Sequence, residues 1–303
     1  MHIANCKLKI AMRQLFKTIM RYRLSSGLTL LSLVVAFLGI IVLTLYVSYE
    51  RSFDGFHKNK NDIYLMSFKY DMGSSLPVPM EELIRHEVPE IERSVVMREW
   101  WNNEFYRTDQ TPRDAIRKKA MYASADFFTM FDFPLITGDA KTVLSVPNSV
   151  VLSETMAQNI FGTADVVGKQ LLASGSELTV SGVMKDMPKN TSFNCEAIVP
   201  LVIQENQDWS EWSFSIFFQL KKGADKAEVE KKIAGIERVT GILTQIAESF
   251  SPKAAAVDLM PLSKIHYGSR GYMFAFINKT VLNLLSVLIL VLLVMGAVNF
   301  INF

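Results

Sequence analysis

The stretch LSSGLTLLSLVVAFLGIIVLTLYVSY, residues 24–49, carries no charged residue along its whole length. A second charge-free stretch, TVLNLLSVLILVLLVMGAVNFINF, occupies residues 280–303. At about 1.5 Å of rise per residue, each stretch makes a helix long enough to cross a hydrocarbon core of roughly 30 Å. Core helices of soluble proteins are rarely apolar on every face over such a length. The sequence therefore predicts two transmembrane helices, one at 24–49 and one at 280–303.

The residues on either side of the first stretch predict its orientation. Residues 1–23 contain basic residues and no acidic residue, and the first acid along the chain is Glu50. Basic residues beside a first span stay on the cytoplasmic side. We therefore expect residues 1–23 in the cytoplasm and residues 50–279 outside it. A cleaved signal peptide fits less well, because its apolar core covers only about 7–15 residues before a small-residue cleavage site.

Charge is unevenly distributed along the chain, which has 32 Lys and Arg against 30 Asp and Glu. Six of the basic residues lie in the N-terminal segment: Lys7, Lys9, Arg13, Lys17, Arg21 and Arg23. The rest is slightly acidic, so no nucleic-acid partner is expected. The N-terminal cations alternate with apolar residues such as Leu8 and Phe16. This segment either lies as an amphipathic helix on anionic membrane lipid or only sets the topology, and both interpretations remain open.

Between the two apolar stretches, patterns typical of strands alternate with patterns typical of helices. Segments rich in β-branched and aromatic residues predict strands in 61–70, 94–107, 115–124, 148–153, 168–174, 177–188, 212–222 and 254–267. Helices are predicted in 77–89, 123–139, 154–162 and 226–250. This alternation predicts an α+β domain, arranged as two packed lobes, between the two membrane helices.

Local signals define the ends of several helices. Ser153 is expected to cap the helix that begins at Glu154, and Gly162 to end it. Ser124 or Asp126 is expected to cap the short helix in 123–139. The longest helix is predicted in 226–250, with an apolar stripe formed by Val229, Ile233, Ile236, Leu243 and Ile246.

The sequence contains no motif of a nucleotide-binding or hydrolytic site. Its one Gly-Lys pair, Gly168–Lys169, lacks both the upstream glycine spacing and the following Ser or Thr of a Walker A loop. No G-x-S-x-G motif occurs, and Ser153 is better explained as a helix cap. Glu81 and Glu82 occupy consecutive helix positions that face different ways, so they form a poor acid/base pair. We therefore expect no catalytic residues and no ATP binding by this chain.

Metal and cofactor sites are not expected either. The histidines are scattered and show no paired-ligand spacing; they are His2, His57, His86 and His266. In the predicted topology Cys6 and Cys195 lie on opposite sides of the membrane, so they cannot pair. Trp100 and Trp101 could stack on a ligand, but a strand commonly buries one of two adjacent residues and exposes the other. A structural role is expected for all of them.

Five segments, taken in their order along the chain, resemble one family. They are LYVSYERSFDGFHKNKNDIYLM (45–66), ASADFFTMFDFPLITGD (123–139), SVVLSETMAQNIFG (149–162), GKQL (168–171) and VSGVMKDMPKNTSF (180–193). Their order and spacing between two spans resemble the N-terminal half of ABC-transporter permeases of the MacB-like and FtsX-like type. The resemblance covers about residues 10–302. Each motif alone is weak, and the combination is more specific.

The resemblance implies a bacterial inner-membrane protein with an extracytoplasmic core domain of two small α+β lobes. It further implies a non-catalytic permease subunit in which a cytosolic ATPase drives movement of that domain through the membrane helices. The implied partners are a separate ABC ATP-binding subunit, a second permease copy in a homodimer or pseudo-dimer, and a periplasmic adaptor or outer-membrane channel. In the family, a span ending like AVNFIN is followed by a basic loop and further spans. The chain is therefore expected to be either a fragment of a longer reading frame, which is favoured, or a truncated paralogue.

Two other functions fit the same topology. The chain could form the sensor portion of a two-span receptor, with residues 50–279 as a ligand-binding ectodomain. It could also be an FtsX-like regulator of cell-wall enzymes, which would differ from an exporter in its external partner. The order of the motifs favours the permease. The transported or sensed ligand cannot be read from the sequence.

Overall fold

The computed structural model describes residues 23–69, 75–100, 103–203, 208–250, 252–268, 274 and 277–302. The N-terminal basic segment, including the expected amphipathic helix, lies outside the described residues, as does Trp101. The chain divides into two units, one containing both long apolar helices and the other comprising Phe53–Ile277.

The first unit is a pair of apolar helices, α1 (Arg23–Arg51) and α8 (Lys279–Asn302). Both have a mean hydropathy of 2.8 and are long and apolar enough to cross a membrane. Two hydrogen bonds join the helices, at different positions along their length. Arg51 donates to the Ser286 hydroxyl at 3.0 Å, and the Asn299 amide donates to the Ser32 hydroxyl at 3.4 Å. The two apolar helices predicted at the ends of the domain are therefore present.

Among the residues that the structure describes, the second unit contains six further α-helices, one 3-10 helix (Pro112–Asp114) and all the strands. The helices are α2 (Pro79–Glu87), α3 (Phe127–Met130), α4 (Glu154–Phe161), α5 (Lys226–Gly235), α6 (Glu237–Ser249) and α7 (Leu262–Ile265). The strands are β1 (Ile63–Phe68), β2 (Ile91–Trp100), β3 (Glu104–Arg107), β4 (Ile116–Arg117), β5 (Ala120–Ala123), β6 (Leu135–Thr137), β7 (Ser149–Ser153), β8 (Gln170–Ala173), β9 (Ser176–Met184), β10 (Ala197–Pro200), β11 (Ser215–Leu220) and β12 (Val257–Pro261).

All of these strands belong to one mixed sheet of 12 strands, in the order β12-β1-β11-β2-β5-β10-β7-β9-β8-β3-β4, with β6 paired to β9. The β5–β10 and β7–β9 pairs are parallel, and the other pairs are antiparallel. Strands in the middle of the order are buried on both faces; all six residues of β11 are buried. The predicted α+β class is confirmed.

Separate hydrophobic clusters occupy the two ends of the strand order. One surrounds β1, β11 and β12 together with α2, α5 and α6, and includes Met66, Phe218 and Ile233. The other surrounds β7, β8 and β9 together with α4, and includes Met156 and Leu178. A third cluster includes Phe127, Phe131 and Phe217, and a single sheet runs through all three clusters.

At the outer edge of the sheet, a carboxylate accepts a hydrogen bond from the backbone of β12. The backbone N–H of Leu259 donates to Glu230 Oε1 at 2.8 Å, where an edge strand otherwise has no partner for this group. Glu230 lies on α5 and is held by an ion pair with Lys226, one turn earlier, at 2.8 Å. The edge therefore receives a side-chain acceptor in place of another strand.

The signals around the helix at 154–162 are confirmed in detail. The Ser153 hydroxyl accepts from the backbone N–H of Met156 at 3.2 Å, so it satisfies one of the free donors of the first turn. Gly162 ends the helix with φ of 73°, a left-handed conformation that glycine adopts without steric cost. Strands β8 and β9 form a hairpin across Ser174 and Gly175.

Three local predictions were wrong. The strand predicted in 254–267 ends at Pro261, and Leu262–Ile265 form the helix α7. The helix predicted over 226–250 is broken into α5 and α6, because Ile236 has an extended ψ of 126° and follows Gly235, a weak helix former. Neither Ser124 nor Asp126 caps α3 through its side chain. The Ser124 hydroxyl instead accepts from Val96 N–H at 3.1 Å, and Asp126 accepts from the Thr129 hydroxyl at 3.0 Å. The short strands β6 and β10 were not predicted.

Candidate functional site

The two points where the chain enters and leaves the α+β domain meet at His266. Phe53 is the second residue after α1, and its ring stacks on the His266 ring with centroids 3.5 Å apart and planes within 8°. Ile277, the second residue before α8, donates its backbone N–H to the His266 carbonyl at 2.9 Å. His266 itself is buried. One residue therefore contacts both of the segments that connect the domain to the two apolar helices.

Asp54 anchors the entering segment in the domain. Its carboxylate is fully buried and accepts three hydrogen bonds, from the Thr191 hydroxyl at 2.7 Å, the Ser192 hydroxyl at 2.5 Å and the Ser192 backbone N–H at 3.0 Å. Its own N–H donates to the Asn190 carbonyl at 3.0 Å. A buried carboxylate is tolerated only with such partners, because desolvation of an unpaired charge is very costly. The third residue after α1 is thus already fixed to the loop at 190–192.

The backbone conformation of Asp54 also contributes to its anchoring at residues 190–192. Its φ of 54° lies in the left-handed region, which Asp and Asn adopt more readily than most residues. The turn reverses the chain so that the carboxylate and the N–H both face the 190–192 loop. The conformation is therefore held by four hydrogen bonds to a segment far away in the sequence.

His57 fixes the next residues of the entering segment. Its Nδ1 accepts from the backbone N–H of Asp132 at 3.0 Å, and the neighbouring Lys58 N–H donates to the Asp132 carboxylate at 2.7 Å. The ring is enclosed by phenylalanines, with centroids 4.1 Å from Phe56 and 5.1 Å from Phe133. Burial lowers the pKa of His57 to about 4, since the charged form cannot be solvated there. The imidazole is therefore neutral at neutral pH.

A block of aromatic rings lies behind the anchored segment. Its members pack edge-to-face or tilted, with centroids between 4.8 and 6.2 Å apart; they are Phe127, Phe131, Phe193, Phe217 and Phe274. Such geometry adds an attraction of about 0.5–1.5 kcal/mol per pair to the burial of each ring. Because these rings come from separate elements, the block makes the wall behind His57 stiff.

Residues considered for catalysis are placed in structural roles. Glu81 is buried and accepts from Arg85 at 3.0 Å and from the Ser94 hydroxyl. Ser153 is the helix cap described above. Lys169 follows a glycine turn, and its ammonium lies 5.5 Å from the centre of the Phe161 ring. The structure does not bring these groups together.

The remaining candidates are likewise separate. Cys195 is buried against Met187, with 3.9 Å between the sulfur atoms, and burial raises the pKa of its thiol. Trp100 packs edge-on against Phe105. His86 is exposed beside Glu87. Within the part of the chain that the structure describes, no three His, Cys, Asp or Glu side chains are grouped as metal ligands.

The sequence did not single out Asp54, Ser192 or the Phe53–His266 stack. The segments SFDGFH and KNTSF were both present in the quoted motifs, but they lie well over 100 residues apart, as the separations of the Asp54 bonds show. One signal was available: an aspartate and an aromatic residue directly follow a charge-free helix. Their partners could not be read without the fold.

Comparison with known proteins now gives the class of the chain. Residues 26–236 match the family described as "MacB-like periplasmic core domain", and the chain belongs to this family. The family is that of permease components of ABC transporters. The predicted resemblance is therefore confirmed. No protein of curated function matches the sequence.

Solved structures with a similar fold are related only distantly in sequence. A domain of a protein assigned as a permease from Porphyromonas gingivalis aligns with a TM-score of 0.51 at 19% identity, covering 68% of this chain and 92% of that chain. The extracellular domain of the noncanonic ABC-type transporter YknZ from Gram-positive bacteria has a TM-score of 0.45 at 13% identity, with coverages of 65% and 99%. The periplasmic region of MacB from Actinobacillus actinomycetemcomitans has a TM-score of 0.47 at 15% identity, with coverages of 67% and 90%.

Proposed function

We propose that this chain is a non-catalytic membrane permease subunit of an ABC-type export or mechanotransmission complex. In it, residues 1–23 lie in the cytoplasm, 24–49 and 280–303 cross the inner membrane, and 50–279 form the extracytoplasmic domain. A cytosolic ATPase moves this domain through the two membrane helices. Membership of the MacB-like family and the two apolar helices support this proposal.

The observation that carries the proposal is the anchoring of Asp54 directly after α1. Movement of a helix reaches a folded domain only if no flexible linker lies between them. Here α1 ends at Arg51, and Asp54 is already held by four hydrogen bonds to residues 190–192. The stack of Phe53 on His266 then joins this segment to the one that leads into α8. A displacement of either helix would therefore act on the domain through fixed contacts.

The partners of the proposed complex follow from what the chain lacks in its sequence. It has no nucleotide-binding motif, so a separate ABC ATP-binding subunit would supply the energy. A second permease copy, as a homodimer or pseudo-dimer, would complete the membrane part. A periplasmic adaptor or outer-membrane channel would receive the movement on the far side.

The proposal can be tested by measuring whether ATP moves the domain. Spin labels are placed at exposed domain positions of the full chain in native-membrane vesicles, and label-to-label distances are recorded with and without ATP. We expect an ATP-dependent change that Asp54→Ala abolishes while the ATP-binding subunit still co-purifies. Asp186→Ala is the matched control, since Asp186 also accepts two hydrogen bonds, from Thr155, but lies away from the chain exits.

Three outcomes would contradict the proposal. If label distances never respond to ATP but do respond to a small molecule added outside, the chain acts as a sensor ectodomain. If Asp54→Ala and Asp186→Ala reduce the response equally, the effect reflects stability alone. Labels at positions 10 and 100 that prove equally accessible from outside would overturn the topology.

A further inference from the structure

A cavity of about 560 Å³ lies between the loop before β11 and helix α6. Trp209 and Trp212 line the loop side. The helix side is formed by Glu237, Arg238, Gly241, Ile242 and Gln245, which follow one another at the spacing of a single helix face. The volume lies within the range of roughly 300–1,000 Å³ that is typical of small-molecule sites.

The polar groups of this cavity are available to a ligand. The side chains of Glu237 and Gln245 make no hydrogen bond or ion pair to any residue that the structure describes. The Arg238 guanidinium lies 4.7 Å from the centre of the Trp209 ring, which holds it at the cavity wall. The Trp212 side chain is 43% exposed, an unusual degree for so large an aromatic residue.

Gly241 provides a second, independent observation. It lies in the interior of α6, where glycine weakens a helix relative to alanine. Packing does not require it, because a Cβ at this position would meet no atom within 4 Å, and its backbone is not in the left-handed region. The glycine therefore leaves bare helix backbone at the floor of the cavity, so that a ligand can approach it closely.

We propose that this cavity binds a saccharide. The exposed Trp212 indole offers a flat apolar surface for the C–H face of a sugar ring, while Trp209 lines the same cavity under the Arg238 guanidinium. The three polar side chains offer both donors and acceptors for the hydroxyl groups of the sugar. An apolar ligand would leave these polar groups unpaired, which is unfavourable. A cation would face Arg238 and an anion would face Glu237, so the balanced pair favours a neutral polar ring. The assignment does not depend on the proposed function.

The saccharide could come from two sources, the cell-wall glycan or free sugars. The full chain in lipid nanodiscs is titrated with chitotriose, a trimer of N-acetylglucosamine, and with maltotriose. Binding is followed by isothermal calorimetry and by tryptophan fluorescence, which is informative because the chain has only 4 Trp. Preference for chitotriose indicates a cell-wall source, and preference for maltotriose indicates free sugar.

Gly241→Leu is the decisive variant, since its side chain fills the cavity floor. We expect it to weaken binding by about tenfold or more while the melting temperature stays the same or rises. Gly235→Leu is the matched control, because a Cβ at Gly235 also meets no atom within 4 Å but Gly235 does not line the cavity. Trp212→Ala should abolish most of the fluorescence change.

The proposal is overturned if neither sugar binds at millimolar concentration, or if Gly241→Leu and Gly235→Leu have the same effect. Binding of an apolar peptide at this site in place of both sugars would overturn the ligand class. Loss of ATP-driven movement would test only the permease function, so the two proposals fail separately.

Discussion

Phe53 and His266 stack face to face across the base of the α+β domain, although more than 200 residues separate them in the sequence. The same His266 accepts a backbone hydrogen bond from Ile277. His266 therefore joins the entering segment to the exit segment through two direct contacts.

This stack is expected to contribute measurably to stability. Phe53→Ala and His266→Ala should each lower the free energy of unfolding, and their effects should be non-additive by about 0.5–1.5 kcal/mol because the two rings contact each other. The measurement is chemical denaturation of the full chain in detergent, followed by tryptophan fluorescence. Phe250→Ala, at an exposed ring elsewhere in the domain, is the comparison. Simple additivity of Phe53→Ala and His266→Ala would show that the stack carries no coupling.

The Asp54 anchor should be sensitive to removal of its carboxylate. Asp54→Ala leaves the buried hydroxyls of Thr191 and Ser192 without their acceptor, and we expect it to lower the free energy of unfolding by about 3 kcal/mol. Asp126→Ala removes an exposed carboxylate that accepts only from Thr129, and should change stability by about 0.5 kcal/mol or less. An equal decrease in the free energy of unfolding for the two variants would show that the buried Asp54 carboxylate stabilises the domain no more than an exposed one.

The buried His57 is expected to make the stability of the domain depend on pH. Because burial places the pKa of His57 at about 4, below the unfolded value of 6.5, the folded state favours the neutral ring. Its contribution is fully present above about pH 6.5 and is lost as the pH falls from 6.5 toward 4, where the unfolded chain binds the proton first. The loss is up to about 3 kcal/mol. Asp54, Asp132 and Lys60 are the charged groups that act on the ring.

The His57 contribution is measured as the difference in pH profile between two variants. His57→Phe should flatten the fall of stability between pH 6.5 and 4, whereas His86→Gln should not, because His86 is exposed. Carboxylates titrate in the lower part of this range in every variant, so the comparison isolates the imidazole. A profile for His57→Phe that matches the native chain would refute the prediction.

Gly182 should tolerate no side chain. A Cβ there would lie 2.5 Å from Val143 Cγ2 and 2.9 Å from the Thr137 carbonyl oxygen, at the place where β6 pairs with β9. We expect Gly182→Ala to lower the free energy of unfolding by about 2 kcal/mol through overpacking. Adding Val143→Ala should restore only part of this free energy, since the contact of the new Cβ with the backbone oxygen of Thr137 remains. Gly235→Ala, with open space around its Cβ, should be neutral or mildly stabilising.

The sequence predicted well those features that depend on neighbouring residues. Ser153 and Gly162 bracket α4 because a cap and a left-handed glycine act within one turn of the helix. The break at Ile236 was missed because the apolar stripe continues across it, so the pattern alone favoured one helix. Propensity is a weak guide where tertiary packing can override it.

The candidate site was beyond sequence reasoning for a different reason. Asp54 and Ser192 are paired by the folded sheet, and no local pattern in SFDGFH indicates which distant hydroxyls will face the carboxylate. Strand β10, Ala197–Pro200, was missed because four residues are too few to show alternation, although it lies in the middle of the sheet. In both cases, the structure depends on contacts between segments that are distant in the sequence.

The carboxylate of Glu230 at the edge of β12 also limits how copies of this chain can associate. An open edge strand invites a strand from another molecule, which leads to uncontrolled growth of the sheet. With Leu259 N–H already bonded to Glu230, an incoming strand would have to displace an acceptor that Lys226 holds in place. This edge therefore resists aggregation by strand addition.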